Sequence, residues 1–290
     1  MENTLRKTKA LLNKYNLTAN KRFGQNFLVD DNILDKIVEV SEIKNNDLII
    51  EIGPGLGNLT EYLLDNSRFA LLVEIDNNMI KVLNDRFKDR TNFMLINQDI
   101  LTLDIDKKIS EIEEKLNHKF DDVKVIANLP YYITSPIIFK LLEDSKRITR
   151  INVMVQKEVA DRIISKNKCK DFGVLTVMID LVADASIKIN VPRECFVPSP
   201  NVDSAVVSII KNKKYDIKDM DSLKKLVKAS FTNRRKKLLN SLEAAKFLNL
   251  NKNEYIEILN KNEISSNVRA EELQVEDFVK ISNYIYEIYQ

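Results

Sequence analysis

Asn128-Leu129-Pro130-Tyr131 follows an apolar run, Val123 to Ala127, and combines groups suited to a flat base that carries an exocyclic amino group. The amide oxygen of Asn128 and the backbone carbonyl of Leu129 can each accept a hydrogen bond from an adenine amino group, Pro130 stiffens the turn, and Tyr131 offers a stacking face. Asn-x-Pro is also ordinary turn chemistry after a strand, so the tetrapeptide takes its meaning from its neighbours. The first neighbour is Glu51-Ile52-Gly53-Pro54-Gly55-Leu56-Gly57-Asn58, which holds three of the five glycines in the chain. Glycines at that spacing let the backbone turn tightly and approach a ligand with no Cβ in the way. A dinucleotide loop, Gly-x-Gly-x-x-Gly, would need its last glycine where Asn58 stands, whereas Gly-x-Gly-x-Gly is the pattern of S-adenosylmethionine loops. The second is Val73-Glu74-Ile75-Asp76, about twenty residues past the loop, where an acid can accept the ribose hydroxyls of an adenosine cofactor. The third is Asn97-Gln98-Asp99-Ile100, whose carboxylate can accept from the adenine amino group of such a cofactor or cap a helix.

These groups need a scaffold that brings strand tips together. Leu48 to Ile52, Phe69 to Val73, Phe93 to Ile96, Val123 to Ala127 and Ile151 to Val155 read as buried strands, too apolar to alternate and too short for helices. Leu59 to Leu64, Met79 to Phe87, Ile105 to Leu116 and Ile137 to Leu142 carry helical spacing between them. Strand, helix, strand with short connections predicts right-handed crossovers and a doubly wound α/β sheet, with ligands at the carboxyl ends of its strands. Val174 to Ala183 reads as helix, and Ser186 to Val191 and Ala205 to Ile210 as two late strands. After Lys214 neither proline nor glycine occurs and the spacing becomes helical throughout. The expected organisation is a catalytic domain over 1–213 and a small all-helical domain over 214–290, joined by the polar stretch Asn212 to Asp216.

At 290 residues, 44% hydrophobic and 30% charged, the chain can bury a full core and is too apolar for wholesale disorder. Cys169 and Cys195 lack metal-type spacing and His118 is the single histidine, so no zinc site and no histidine-based triad is expected. The start of the chain has no signal-like apolar core, and no run approaches a membrane span, which together suggest a reducing, cytoplasmic setting. Net charge is only +2, but it is unevenly placed. Arg6, Lys7, Lys9, Lys14, Lys21 and Arg22 face one acid, Glu2, before Gly24. Lys224, Lys225, Lys228, Arg234, Arg235, Lys236 and Lys237 have no acid among them. Two basic clusters flanking a base pocket point to nucleic acid, although each alone would suit a solvated helix face.

Six blocks in order resemble the ribosomal RNA adenine N6,N6-dimethyltransferases: Lys21 to Leu28, Glu51 to Gly57, Val73 to Asp76, Asn128 to Pro136, Gln156 to Arg162 and Phe196 to Ala205. The resemblance covers almost the whole chain and implies a Rossmann-like class I methyltransferase sheet. Leu129 is similar to the branch acting on two adjacent adenosines near the 3′ end of small-subunit RNA; the macrolide-resistance branch, acting on 23S RNA, typically has isoleucine there. By the same resemblance Gln25, Asn26, Leu28, Gly53 and Gly55 would lie along the methionine part of S-adenosylmethionine, Glu74 at the ribose, and Asp99 and Ile100 at the adenine. Asn128, Leu129 and Tyr131 would hold the target base, with Phe196 facing Tyr131 across it. Arg22, Lys224, Lys228, Arg234, Arg235, Lys236 and Lys237 would meet RNA. The family implies a monomer acting on an assembling small subunit, with no metal. Two other readings stay open at this point: a noncatalytic RNA-binding assembly factor and a nicotinamide oxidoreductase.

Overall fold

The computed structural model describes residues 3–20, 24–248 and 250–289. Their contacts divide the chain into two compact units, Met1–Ala160 with Ser186–Lys211, and Asp161–Ala185 with Asn212–Gln290. A single cut near 213 would place Asp161–Ala185 with the sheet; its contacts are with the C-terminal helices instead.

In chain order the elements are α1 (Thr4–Lys14), β1 (Phe27–Leu28), α2 (Asp31–Ser41), β2 (Leu48–Ile52), α3 (Asn58–Asn66), β3 (Phe69–Glu74), α4 (Asn77–Arg86), β4 (Phe93–Asn97), α5 (Ile105–Leu116) and β5 (Val123–Asn128). There follow α6 (Thr134–Glu143), β6 (Ile148–Gln156), α7 (Lys157–Ile163), α8 (Val174–Asp180), β7 (Ala183–Val191), β8 (Phe196–Val197), β9 (Ser204–Lys211), α9 (Met220–Ser230), α10 (Leu238–Ala244), α11 (Lys252–Lys261) and α12 (Val275–Tyr289). The main sheet has the order β4-β3-β2-β5-β6-β9-β7. β4, β3, β2, β5 and β6 run parallel, and β9 joins β6 antiparallel with Gln156 opposite Ser204. β2 and β3 are buried along their whole length, which is why their sequences run apolar rather than alternating.

α2, α4 and α5 each start at an aspartate cap. Asp30, Asp76 and Asp104 each accept a first-turn amide, from Ile33, Asn78 and Lys107 at 2.9–3.0 Å. The expected helix to Ala183 ends at Asp180, because Ala183 begins β7. α1, α2 and the β1–β8 pair lie outside the alternating pattern and were not anticipated by it.

α3 starts at Gly57, whose φ of +83° lies in the left-handed region, and a Cβ there would stand 2.7 Å from the Phe87 ring and 3.1 Å from Leu83. Gly57→Ala is therefore expected to destabilise this unit by about 2–4 kcal/mol, combining a left-handed penalty with overpacking. Denaturant unfolding followed by circular dichroism would measure it, and a loss below about 0.5 kcal/mol would show that Phe87 yields freely.

The second unit has an aromatic core of its own. Phe231 stacks on Phe278 with ring centroids 5.9 Å apart and meets Phe172 at 6.0 Å. Phe172 thereby ties the Asp161–Ala185 segment to α9 and α12. No described helix is long and apolar enough to cross a membrane.

Candidate active site

Four of the parallel strands end at one edge of the sheet, and there lies a cleft of about 200 Å³. The loop after β2, the tips of β3, β4 and β5, and residues 24–28 line it. Every sequence-expected cofactor residue is brought there: Gln25, Asn26, Leu28, Gly53, Gly55, Glu74, Asp99, Ile100 and Asn128. Leu129 and Tyr131 line it as well.

Gly53, at φ +65°, has nothing within 4 Å of where a Cβ would project, so its backbone borders open space in the cleft. Glu74, buried at the end of β3, accepts the Gly55 amide on Oε2 at 3.0 Å and the Ile75 and Asp76 amides on Oε1 at 2.9 Å. A carboxylate has about four lone-pair sites, so these three bonds leave Oε2 one strong acceptor position rather than two. Burial pushes the Glu74 carboxyl above its ordinary range, and the amides of Asp76, Gly55 and Ile75 oppose that. Asp99 caps a short 3-10 turn by accepting the Leu101 amide on Oδ1 at 2.9 Å, which leaves Oδ2 open. Helix cap and adenine acceptor are therefore compatible roles for this residue. Ile75, 46% exposed, and Leu101, 37% exposed, add apolar surface to the cleft lining.

Another part of the cleft is shaped by residues 24–28. The Gln25 side chain is engaged at both ends, accepting from the Asn20 amide at 2.9 Å and donating to Asp76 at 2.9 Å. It thus holds the segment in place instead of presenting a free amide. The Asn128 Nδ2 donates to the Asn26 carbonyl at 3.1 Å. That bond fixes the amide so that the Asn128 Oδ1 is the free acceptor. The Leu129 amide donates to Met154 at 3.1 Å, anchoring the turn to β6, while no described residue donates to the Leu129 carbonyl. Two acceptors of unused capacity thus stand side by side. Beyond them the Tyr131 hydroxyl meets the buried Ser204 hydroxyl at 2.7 Å, and Thr134 Oγ1 donates to the Pro130 carbonyl at 3.1 Å. The ring is held from its far end; burial raises the phenol above its usual range, so the ring stays neutral.

Some expected placements are corrected. Phe196 is 2% exposed and belongs to a core cluster with Leu28, Ile126, Met154 and Val206; it does not line the cleft. Its place in β8, paired with Leu28 of β1, sets it in that core and outside the cleft lining that includes Tyr131. Arg234 is no free cation: its guanidinium donates to the carbonyls of Lys170 and Phe172 and faces Glu271 at 3.7 Å. Lys237 donates to Asn267 at 2.6 Å. Lys7 and Lys14 of the N-terminal cluster pair with Glu61 at 3.0 Å and Asp85 at 2.6 Å, which docks α1 and offsets its charge. Arg22 lies outside the described residues.

Glu51, Tyr132 and Ser204 were missed as site residues by the sequence reading. Glu51 lines the cleft at 2% exposure and accepts from Thr60 Oγ1 at 2.6 Å. Burial pushes its carboxyl up to about 8, the Thr60 bond opposing and the nearby Glu74 adding. The folded protein therefore keeps a proton that the unfolded chain loses from its ordinary value of 4.5 upward. Stability from this group is complete below 4.5 and declines as pH rises to about 8. Glu51→Gln should flatten that part of the pH profile, read from denaturant midpoints at acid and alkaline pH. Parallel profiles for the two proteins would mean that Glu51 is ionised in the fold. Among the described residues no group of three or more His, Cys, Asp or Glu could hold a metal.

Comparison with known proteins adds to this geometry. The family model described as ribosomal RNA adenine dimethylase matches residues 16–287. A ribosomal RNA small subunit methyltransferase A from Clostridioides difficile (strain 630) is 45% identical over 280 residues, covering 96% of this chain and 94% of that protein. A protein of the same description from Streptococcus thermophilus (strain CNRZ 1066) is 40% identical over 284 residues, covering 97% and 96%. Among solved structures, a dimethyladenosine transferase from Plasmodium falciparum aligns with a TM-score of 0.74 at 27% identity, covering 89% of this chain and 96% of the other. The 23S rRNA methyltransferase ErmE aligns with a TM-score of 0.64 at 23% identity, covering 89% and 98%, and shares the fold.

Proposed function

The chain belongs to the ribosomal RNA adenine dimethylase family, and on that premise we propose that it is the small-subunit enzyme, transferring methyl groups from S-adenosylmethionine to two adjacent adenosines of the 3′-terminal hairpin of 16S RNA. The observation that carries this reading is the pair of free acceptors, Asn128 Oδ1 and the Leu129 carbonyl, standing between a nucleoside-type cleft and the Tyr131 ring. The 23S branch is disfavoured by the near full-length likeness to small-subunit methyltransferases. A noncatalytic role is disfavoured by a cleft that keeps each acceptor.

The cleft fits the methyl donor on its own features: an open backbone stretch at Gly53, one remaining acceptor position on Glu74, a free Asp99 oxygen and apolar walls at Ile75 and Leu101. Bound there, S-adenosylmethionine would supply an electrophilic methyl group on a sulfonium. Glu74 would hold a ribose hydroxyl and Asp99 the adenine amino group.

The chain's own groups then have one main task. The amino nitrogen of the target adenine is a poor nucleophile, because its lone pair is delocalised into the ring. Hydrogen bonds from its two hydrogens to Asn128 Oδ1 and the Leu129 carbonyl favour a pyramidal nitrogen with the lone pair turned toward the donor side. Positioning of this kind lowers a barrier by several kcal/mol without a strong base. The proton lost afterward comes from a nitrogen made acidic by the new bond, so solvent can take it. After one transfer a single hydrogen remains, and one of the two acceptors suffices for the second round. Stacking on Tyr131 offsets the cost of keeping the base out of its helix, a few kcal/mol and less in a loop.

Incorporation of labelled methyl groups into isolated small and large ribosomal subunits would test the proposal. Label on small subunits lacking the modification, and little on large ones, is the expected result. Label on large subunits alone would select the 23S branch.

A further inference from the structure

In the second unit the segment Ser165-Lys166-Asn167-Lys168-Cys169-Lys170 places a lysine at every other position of an irregular loop, and all three lysines are exposed. Nothing in its sequence neighbourhood marks it as part of the basic cluster at 234–237. The fold joins the two. The Arg234 guanidinium donates to the carbonyls of Lys170 and Phe172, the latter at 2.7 Å. The Lys168 amide donates to the Glu271 carbonyl at 2.7 Å and the Asn167 side chain to the Glu272 carbonyl at 3.3 Å. Lys168 is held at φ +65°, a conformation lysine rarely adopts, so the loop is fixed by these bonds rather than by its own preference. Among the described residues no acid lies within ion-pair reach of Lys166, Lys168, Lys170, Arg235 or Lys236. Five exposed cations from two distant stretches of sequence therefore lie on adjoining loops, with Arg234 serving as the staple between them.

We infer that the 165–170 loop is a second phosphate-contacting element, forming with Arg235 and Lys236 one composite RNA-binding surface. The inference rests on the RNA-modifying function proposed above. Lysine is a compact point charge on a flexible stem, suited to tracking phosphates without reading bases. The loop should therefore contribute affinity and salt dependence, not choice of adenosine.

The test compares wild type with K166Q/K168Q/K170Q and with R235Q/K236Q, measuring binding to deproteinised small-subunit ribosomal RNA over a range of salt. Each lost phosphate contact on single-stranded or duplex RNA should make the slope of log affinity against log salt shallower by about 0.7–0.9. A slope shallower by about two is expected for the lysine triple variant, with unchanged S-adenosylmethionine affinity, unchanged thermal unfolding and recovery in K166R/K168R/K170R. An unchanged slope in the lysine variant beside a shallower one in R235Q/K236Q would overturn the inference and leave the RNA reading intact. Wild-type binding with no salt dependence would overturn both. A shallower slope that arginine does not restore would assign the effect to loop structure and also overturn it.

Discussion

Tyr131→Ala is expected to lower methyl transfer by one to two orders of magnitude while leaving S-adenosylmethionine affinity within about twofold. The magnitude follows from base–aromatic stacking of about 1–3 kcal/mol per base, lost wherever the target adenosine must be held unstacked from its own RNA. Phe196 is buried in the core, so it is not placed to take over that stack. Tyr131→Phe should retain most activity, because the ring survives and only the hydroxyl bond to Ser204 is lost. Ser204→Ala should match it, and the double variant should be no worse than either single one, since both remove the same contact. Calorimetric titration of the donor beside a single-turnover transfer assay measures these effects. Undiminished transfer by Tyr131→Ala would remove the ring from the mechanism.

Asn128→Ala should cost more, about 10²–10³ in the single-turnover rate at saturating donor, the scale seen when one preorganised polar partner of a reacting group is removed. Asn128→Asp separates the two duties of the side chain. A carboxylate is the stronger acceptor, yet it cannot donate to the Asn26 carbonyl, so two oxygens would confront each other across 3.1 Å in the present geometry. If orientation by Asn26 matters, the aspartate variant will also be slow. A rate near wild type for Asn128→Asp would show that acceptor strength alone decides.

The parts of this fold that were legible in sequence were those set by short-range pattern. Buried parallel strands leave continuous apolar runs, and β2, β3 and β5 fall within a residue of the runs that announced them. The acids and glycines of the cleft were legible because strand tips put them at one edge whatever else the chain does. Long-range contacts were not. Ser204 became a site residue only because β9 lies antiparallel beside β6 and brings its first residue to the Tyr131 hydroxyl. Phe196 looked like a base-facing aromatic in its proline-rich motif, but its pairing with Leu28 places it in the core. The basic clusters misled in both directions, since charge in sequence does not reveal its partners. Lys7, Lys14 and Arg234 are engaged by the protein, whereas Lys166, Lys168 and Lys170, too dispersed to register as a cluster, are exposed together. Glu51 was quoted as part of a glycine motif, and only its depth shows that it retains a proton.

The most direct measurement is mass spectrometry of small-subunit ribosomal RNA, from subunits lacking the modification, after incubation with this protein and S-adenosylmethionine. The expected result is N6,N6-dimethyladenosine at two adjacent positions of the 3′-terminal hairpin, absent when the Asn128→Ala protein is used. Unmodified small-subunit RNA, or methylation confined to 23S RNA, would contradict the account.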